Sequence, residues 1–161
     1  MKFLVFGHKG WIGSMVIKLL RNQNIHFVCA KSRAENKKAV EEELLLENPT
    51  HVMSFIGRTH GTTDDGTKYT TIDYLEQKGK IKENVRDNLF SPLVLGLLCK
   101  KHNIHFTYLG TGCIFKYDEN HPFGDETTGF DEKDLPNFFD SSYSTVKGYT
   151  DELMHLLEDN C

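Results

Sequence analysis

Lys2-Phe3-Leu4-Val5-Phe6-Gly7-His8-Lys9-Gly10-Trp11-Ile12-Gly13 is an apolar run that passes directly into glycines at every third position. Phe3 to Phe6 suits a short buried strand, and the glycines after it suit a tight turn. From Trp11 to Asn22, Ile12, Val16, Leu19 and Leu20 recur at helical spacing, so the spacing predicts a strand, a glycine turn and a helix in succession. In that context the turn lets backbone approach a pyrophosphate, which then meets free N–H groups at the helix start. The spacing Gly7-x-x-Gly10-x-x-Gly13 is not the Gly-x-Gly-x-x-Gly of the usual dinucleotide fingerprint, so its weight comes from its place after a strand. Gly7, His8, Lys9, Gly10, Trp11, Ile12 and Gly13 are therefore candidate cofactor contacts.

The pattern repeats outward. Ile25 to Ala30 reads as a second strand, Lys37 to Glu47 as a helix stopped by Asn48-Pro49, and His51 to Ile56 as a third strand. Gly57 to Gly66 reads as a loop and the stretch to Gly79 is ambiguous. Ile81 to Lys101 is expected as one helix, Ile104 to Leu109 as a fourth strand, Lys116 to Phe139 as a long loop, and Ser142 to Glu158 as a final helix. Alternating strands and helices imply an α/β fold, a doubly wound parallel sheet of the Rossmann-like NAD(P)-binding kind, in a single domain over 1–161.

Composition narrows the function classes. The 161 residues carry a formal charge of −4 with signs interspersed, which offers no basic stripe for nucleic acid or an anionic membrane. No apolar run suits a signal peptide or a bilayer span, so a cytoplasmic protein is expected. Cys29, Cys99, Cys113 and Cys161 form no Cys-x-x-Cys pair and read as free thiols. His102-x-x-His105 straddles a helix-to-strand junction that would part the two rings, so no metal site is expected.

Cofactor choice should be written at the end of the second strand, where NAD binders place a carboxylate on the ribose hydroxyls. Lys31-Ser32-Arg33 stands there instead. A guanidinium and a hydroxyl suit a 2′-phosphate, so NADPH is expected over NADH, with a solvated basic turn as the alternative. Near the other end, Tyr143-Ser144-Thr145-Val146-Lys147 puts a phenol and an ammonium one helical turn apart, where the lysine would lower the phenol pKa. That pairing is suited to proton transfer at a carbonyl oxygen. Thr111, just past the fourth strand, is the candidate hydroxyl partner for that oxygen. Asn88 precedes Pro92 by four residues, and proline has no N–H to give the Asn88 carbonyl. The freed carbonyl could hold a water that relays protons toward Lys147, or Pro92 could simply start a second helical segment.

Taken together, Gly7 to Gly13, Leu109-Gly110-Thr111-Gly112-Cys113-Ile114-Phe115, Tyr117-Asp118, His121-Pro122 and Asp134-Leu135-Pro136-Asn137-Phe138 carry a family resemblance. The chain resembles the extended short-chain dehydrogenase/reductases, and within them the nucleotide-sugar 3,5-epimerase/4-reductases that make L-rhamnose donors, in plant and giant-virus forms. The resemblance implies a UDP- or dTDP-linked 4-keto-6-deoxy-glucose as substrate. It implies hydride delivery from NADPH, with Tyr143 as proton donor, Lys147 on the nicotinamide ribose and Thr111 on the carbonyl oxygen. Phe55-Ile56-Gly57 would add cofactor contacts, and Gly112 and Asn137 would join Thr111 and Cys113 around the substrate.

The resemblance further implies that Cys113 is the epimerase acid/base. Dehydratases of the wider group carry Asp and Glu where Gly112 and Cys113 stand, which speaks against dehydration. An ordinary buried thiol is the alternative for Cys113. Members of the group extend further, so this chain is expected to be the cofactor-binding portion, without the nucleotide-sugar lobe and the second epimerase acid/base. A pure 4-ketosugar reductase and a non-catalytic NADPH-binding subunit are the other readings. A homodimer is compatible with all three.

Overall fold

A computed structural model of the protein describes residues 1–124 and 127–157. Four parallel strands form the main sheet: β1 (Phe3–Phe6), β2 (Phe27–Cys29), β3 (His51–Ser54) and, near the end, β6 (His105–Tyr108). Their spatial order is β2-β1-β3-β6, with Phe6, Ser54 and Tyr108 in register at the carboxyl ends. The chain thus runs outward to β2, returns past β1 to β3, and continues away from it. The strand order reverses between β1 and β3, where open α/β sheets keep their ligand crevice.

Alternation along β1 sorts the helices onto two faces. Val5 packs with Ile17 and Leu20 of α1 (Trp11–Asn22). Leu4 and Phe6 face the larger cluster, with Val40 and Leu44 of α2 (Lys37–Glu47), Leu95 and Leu98 of α4 (Ser91–Lys101), and Met154 of α5 (Ser142–His155). Burial of these two clusters is the main force holding the layers together. The doubly wound parallel sheet read from the sequence is the observed fold.

Three local features differ from the sequence expectation. The stretch read as a loop, Gly57 to Gly66, and the ambiguous stretch after it together contain a small antiparallel hairpin, β4 (Gly61–Thr62) and β5 (Lys68–Tyr69), in which Gly61 lies so close to the Tyr74 ring that a Cβ would come within 2.5 Å of it. The expected single helix from Ile81 is three segments: α3 (Ile81–Val85), a π-helical turn (Arg86–Phe90) and α4. Pro92 stands in the first turn of α4, and the widened turn falls where its missing N–H breaks the ordinary ladder. Finally, α5 ends at His155. Glu158, expected as its last residue, and Cys161 lie outside the described residues.

Candidate active site

The glycine turn is wedged between β3 and α1. Gly7 has φ +72°, and a Cβ there would come within 2.6 Å of the Phe55 carbonyl carbon. At Gly13 a Cβ would come within 2.3 Å of the Gly7 oxygen. Only hydrogen fits at either position, so the backbone itself forms the wall. Gly10 caps α1 without a side-chain bond, and no acidic residue stands in the first turn. The amide groups at the helix start are thus open to an anion.

A cavity of about 320 Å³ opens against this turn. Its walls are residues 7–10, the end of β2 at 30–33, and residues 56–58 beyond β3, joined by Glu35, Asp87 and Ser91. His8 contributes a buried ring nitrogen, Nδ1, that has no hydrogen-bond partner. A phosphate-bearing dinucleotide fits this cradle of backbone amides, basic side chains and an unspent polar atom. The Trp11 side chain is 80% exposed, and neither it nor Ile12 lines the cavity. Phe55 packs into the α1-side cluster and contributes backbone only.

At the end of β2 the structure corrects one expectation. The Ser32 hydroxyl is not available to a 2′-phosphate, because it donates to Glu43 Oε2 at 2.5 Å. Glu43, buried on α2, also accepts from the Lys31 N–H at 2.7 Å and the Ser32 N–H at 2.9 Å. Burial pushes the Glu43 carboxyl up, but these bonds hold it below its ordinary value. Arg33 reaches the cavity with its guanidinium paired to Glu35 at 3.1 Å.

The residues expected to handle a carbonyl lie past the end of β6 and at the start of α5. Thr111 caps a single 3-10 turn, Gly112–Ile114, its Oγ1 accepting from the Cys113 N–H at 3.2 Å. Tyr143, buried in the first turn of α5, lies close enough to Thr111 and Cys113 for both to act on its phenol. Cys113 itself is exposed, which removes the buried-thiol alternative. The start of α5 is fixed by Ser141, which accepts from the Ser144 N–H at 3.0 Å. Glu76 also holds it, accepting from Ser142 Oγ at 2.9 Å and from the Tyr143 N–H at 3.3 Å.

Lys147 lies on the same helix at 4% exposure. Its ammonium donates to the Tyr108 hydroxyl and to the Leu109 carbonyl, and sits 4.3 Å from the Tyr108 ring centroid. Burial pulls its pKa down to about 8, with Asp151 opposing. The expected lowering of the phenol by the lysine is not what the structure shows. Burial pushes Tyr143 above its ordinary value, and the opposing pull comes from Thr111. Desolvation dominates because the phenol is buried and Lys147 is turned toward β6.

Asn88 also differs from expectation. Its freed carbonyl lies 2.8 Å from Thr150 Oγ1 of α5, whose one proton it shares with the Val146 carbonyl, also at 2.8 Å, so a protein hydroxyl stands where a relay water was expected. Its amide donates to the Arg58 carbonyl at 2.9 Å and to Asn84 Oδ1 at 2.8 Å, while Oδ1 accepts from the Arg58 N–H at 2.9 Å. Asn84 in turn donates to Ser142 Oγ at 3.2 Å. Asn88 therefore ties the cavity wall at Arg58 to the helix bearing Tyr143 and Lys147. Asn137 donates its N–H to Ile114 of the turn that carries Cys113, at 3.1 Å, but its side chain is committed elsewhere. Its side chain spans Lys116 N, Lys116 O and Asp118 at 2.8, 3.0 and 3.0 Å, which closes the 116–137 loop and spends the amide.

Sequence reasoning missed Glu43, Glu35, Arg58 and Thr150. Arg58 had a signal, since it follows the third strand's candidate contacts by one residue. Glu43 had none, being one of three consecutive glutamates.

A family model described as the NAD dependent epimerase/dehydratase family matches residues 3–159. The chain belongs to that family. Among its relatives, the crystal structure of the L780 UDP-rhamnose synthase from Acanthamoeba polyphaga mimivirus is 57% identical with a TM-score of 0.88, covering 99% of this chain and 53% of that one. The trifunctional UDP-glucose 4,6-dehydratase/UDP-4-keto-6-deoxy-D-glucose 3,5-epimerase/UDP-4-keto-L-rhamnose-reductase RHM1 of Arabidopsis thaliana is 33% identical over all of this chain and 22% of its own length. The dTDP-4-dehydrorhamnose reductase of Bacillus anthracis, solved in complex with NADP, has a TM-score of 0.72 at 15% identity, covering 99% of this chain and 49% of that one, a likeness of fold. The chain spans about half the length of the mimivirus protein, 53%. Family membership accounts for the cradle.

Proposed function

We propose that this chain carries the cofactor cradle and the carbonyl-handling cluster of an NADPH-dependent nucleotide-sugar 3,5-epimerase/4-reductase, acting on a UDP- or dTDP-linked 4-keto-6-deoxy-glucose. The observation that carries the reading is the meeting of Tyr143, Thr111 and an exposed Cys113 beyond β6, on a sheet whose switch point holds a glycine cradle. Support also comes from the mimivirus and plant relatives, whose names give UDP-rhamnose synthesis.

Residues 7–10, 31–33 and 56–58 would hold the dinucleotide, which when bound supplies a hydride for the sugar C4. Thr111 Oγ1 and the Tyr143 hydroxyl would bind the O4 carbonyl oxygen, and the Tyr143 proton would pass to it as the carbonyl becomes an alkoxide. The Lys147 ammonium, freed from Tyr108, would hold a ribose hydroxyl and ease loss of that proton. The carbons beside the ketone are acidified by it, and Cys113 stands open to the same site. Its sulfur, once deprotonated, would take a proton from such a carbon, and a proton delivered from solvent to the opposite face would invert the centre.

The test is a nicotinamide fluorescence titration with NADPH, followed by incubation with UDP-4-keto-6-deoxy-glucose in deuterium oxide. The expected result is cofactor binding by this chain and, when it is joined to a nucleotide-sugar lobe, deuterium at C3 and C5 that is lost in Cys113→Ser. Cofactor binding without deuterium in the joined protein would overturn the epimerase half and favour a reductase or a binding subunit. No cofactor binding would overturn the reading altogether.

A further inference from the structure

Two carboxylates crowd the segment after β2, and they differ in what they can do. Glu43 lies behind the segment, buried, with three bonds to Lys31 and Ser32, and it is not part of the cavity wall. It fixes the backbone and takes the Ser32 hydroxyl out of play. Glu35 belongs to the wall itself, 28% exposed, with Oε1 on Arg33 Nε at 3.1 Å. The cavity's other acid, Asp87, is neutralised from two sides, by Arg58 at 3.1 Å and Arg86 at 2.7 Å. Glu35 is thus the acid in the wall whose recorded ion pair is with a mostly exposed side chain, Arg33 being 70% exposed.

From this we infer that Glu35 sets the choice between a phosphorylated and an unphosphorylated adenosine ribose, by competing with the 2′-phosphate for the Arg33 guanidinium. The inference rests on the reading of this cavity as a dinucleotide site, where the segment after the second strand meets the adenosine ribose. With Ser32 committed to Glu43, Arg33 is the remaining member of the basic step with a planar fork suited to a phosphate. To use it, a 2′-phosphate must displace one carboxylate and then lie beside it, so like-charge repulsion opposes the phosphate. An unphosphorylated ribose meets no such opposition, and its hydroxyls can donate to the same carboxylate. Glu35 therefore holds NADPH selectivity below what Arg33 alone would give.

The experiment is titration of the wild-type chain, Glu35→Gln, Arg33→Met and the double variant with NADPH and NADH, and with 2′,5′-ADP and 5′-AMP as probes. Glu35→Gln is expected to raise the NADPH-to-NADH affinity ratio three- to tenfold, about what removal of one competing charge-assisted pair supplies. The same change made on Arg33→Met is expected to move the ratio clearly less, because only the direct repulsion and the ribose hydroxyl bond then remain. Because the pair is exposed, both substitutions should leave the melting temperature nearly unchanged. A ratio that moves less than twofold in Glu35→Gln, with wild-type binding intact, would overturn the role of Glu35 alone. An equal effect with and without Arg33 would overturn the competition for the guanidinium. Failure of the wild type to bind any of the four compounds would overturn the cavity reading and this inference with it.

Discussion

Lys147→Met should stabilise the protein at neutral pH and lose that advantage as the pH is raised. The ammonium is buried, and its pKa falls from 10.5 to about 8 on folding. Between those values the unfolded chain binds a proton that the folded chain does not, so wild-type stability rises with pH through that window. Below pH 8 the burial penalty is fully present, roughly 3 kcal/mol at 1.36 kcal/mol per pKa unit. Methionine fills a similar volume without a charge, but leaves the Tyr108 hydroxyl and Leu109 carbonyl without their donor, at a cost of about 1 kcal/mol. The net expectation is a gain of about 2 kcal/mol at pH 7 that shrinks toward zero near pH 10. Urea denaturation of both proteins at the two pH values measures it, with unchanged m-values as the check that the unfolded state is the same. A variant less stable than wild type at pH 7, or a difference that does not change with pH, would refute the argument that desolvation governs this lysine.

Tyr143→Phe should abolish ketone reduction while leaving NADPH affinity within about twofold, since only the proton donor is removed; steady-state turnover and cofactor titration separate the two. Thr150→Val keeps the shape but removes the hydroxyl from the Asn88 carbonyl, so it should cost about 1–2 kcal/mol in chemical denaturation; no measurable cost would show that the α5 contact is not needed there. Gly13→Ala forces a methyl to within 2.3 Å of the Gly7 oxygen. Either the turn or α1 must move, with a loss of about 1–3 kcal/mol and of cofactor binding, readable by thermal melting and fluorescence titration.

The layer architecture was legible because it rests on local apolar runs. Leu4-Val5-Phe6, His51 to Ser54 and His105 to Tyr108 are short strands bounded by turn residues, and alternation with helices leaves few other arrangements. The candidate site was legible as residue types but not as partnerships. Ser32 and Asn137 were expected to offer side chains to ligands and Asn88 its carbonyl to a water, yet each is bonded to another part of the chain. Those choices depend on residues far away in sequence, such as Thr150 for Asn88, 62 positions on. The π-helical turn was half legible, since Pro92 announced a broken ladder but not how the helix would absorb it. Glu43 was invisible because Glu41, Glu42 and Glu43 are chemically identical, and only the packing of α2 turns the third one inward.

The contact between Gly7 and Phe55 bears on the order in which the molecule is assembled. During synthesis the glycine turn emerges within the first dozen residues, but the surface it fits is the end of β3, more than forty positions later. Parallel pairing of β1 with β3 must wait for β2 and α2 to be made and folded back. A nascent chain ending short of Phe55 would own every residue of the glycine turn and none of its shape. Cofactor capture on the ribosome should therefore begin only once β3, Arg58 and the residues that close the wall around it, Asp87, Asn88 and Ser91, have cleared the exit tunnel, making dinucleotide binding a length-resolved marker for closure of the site.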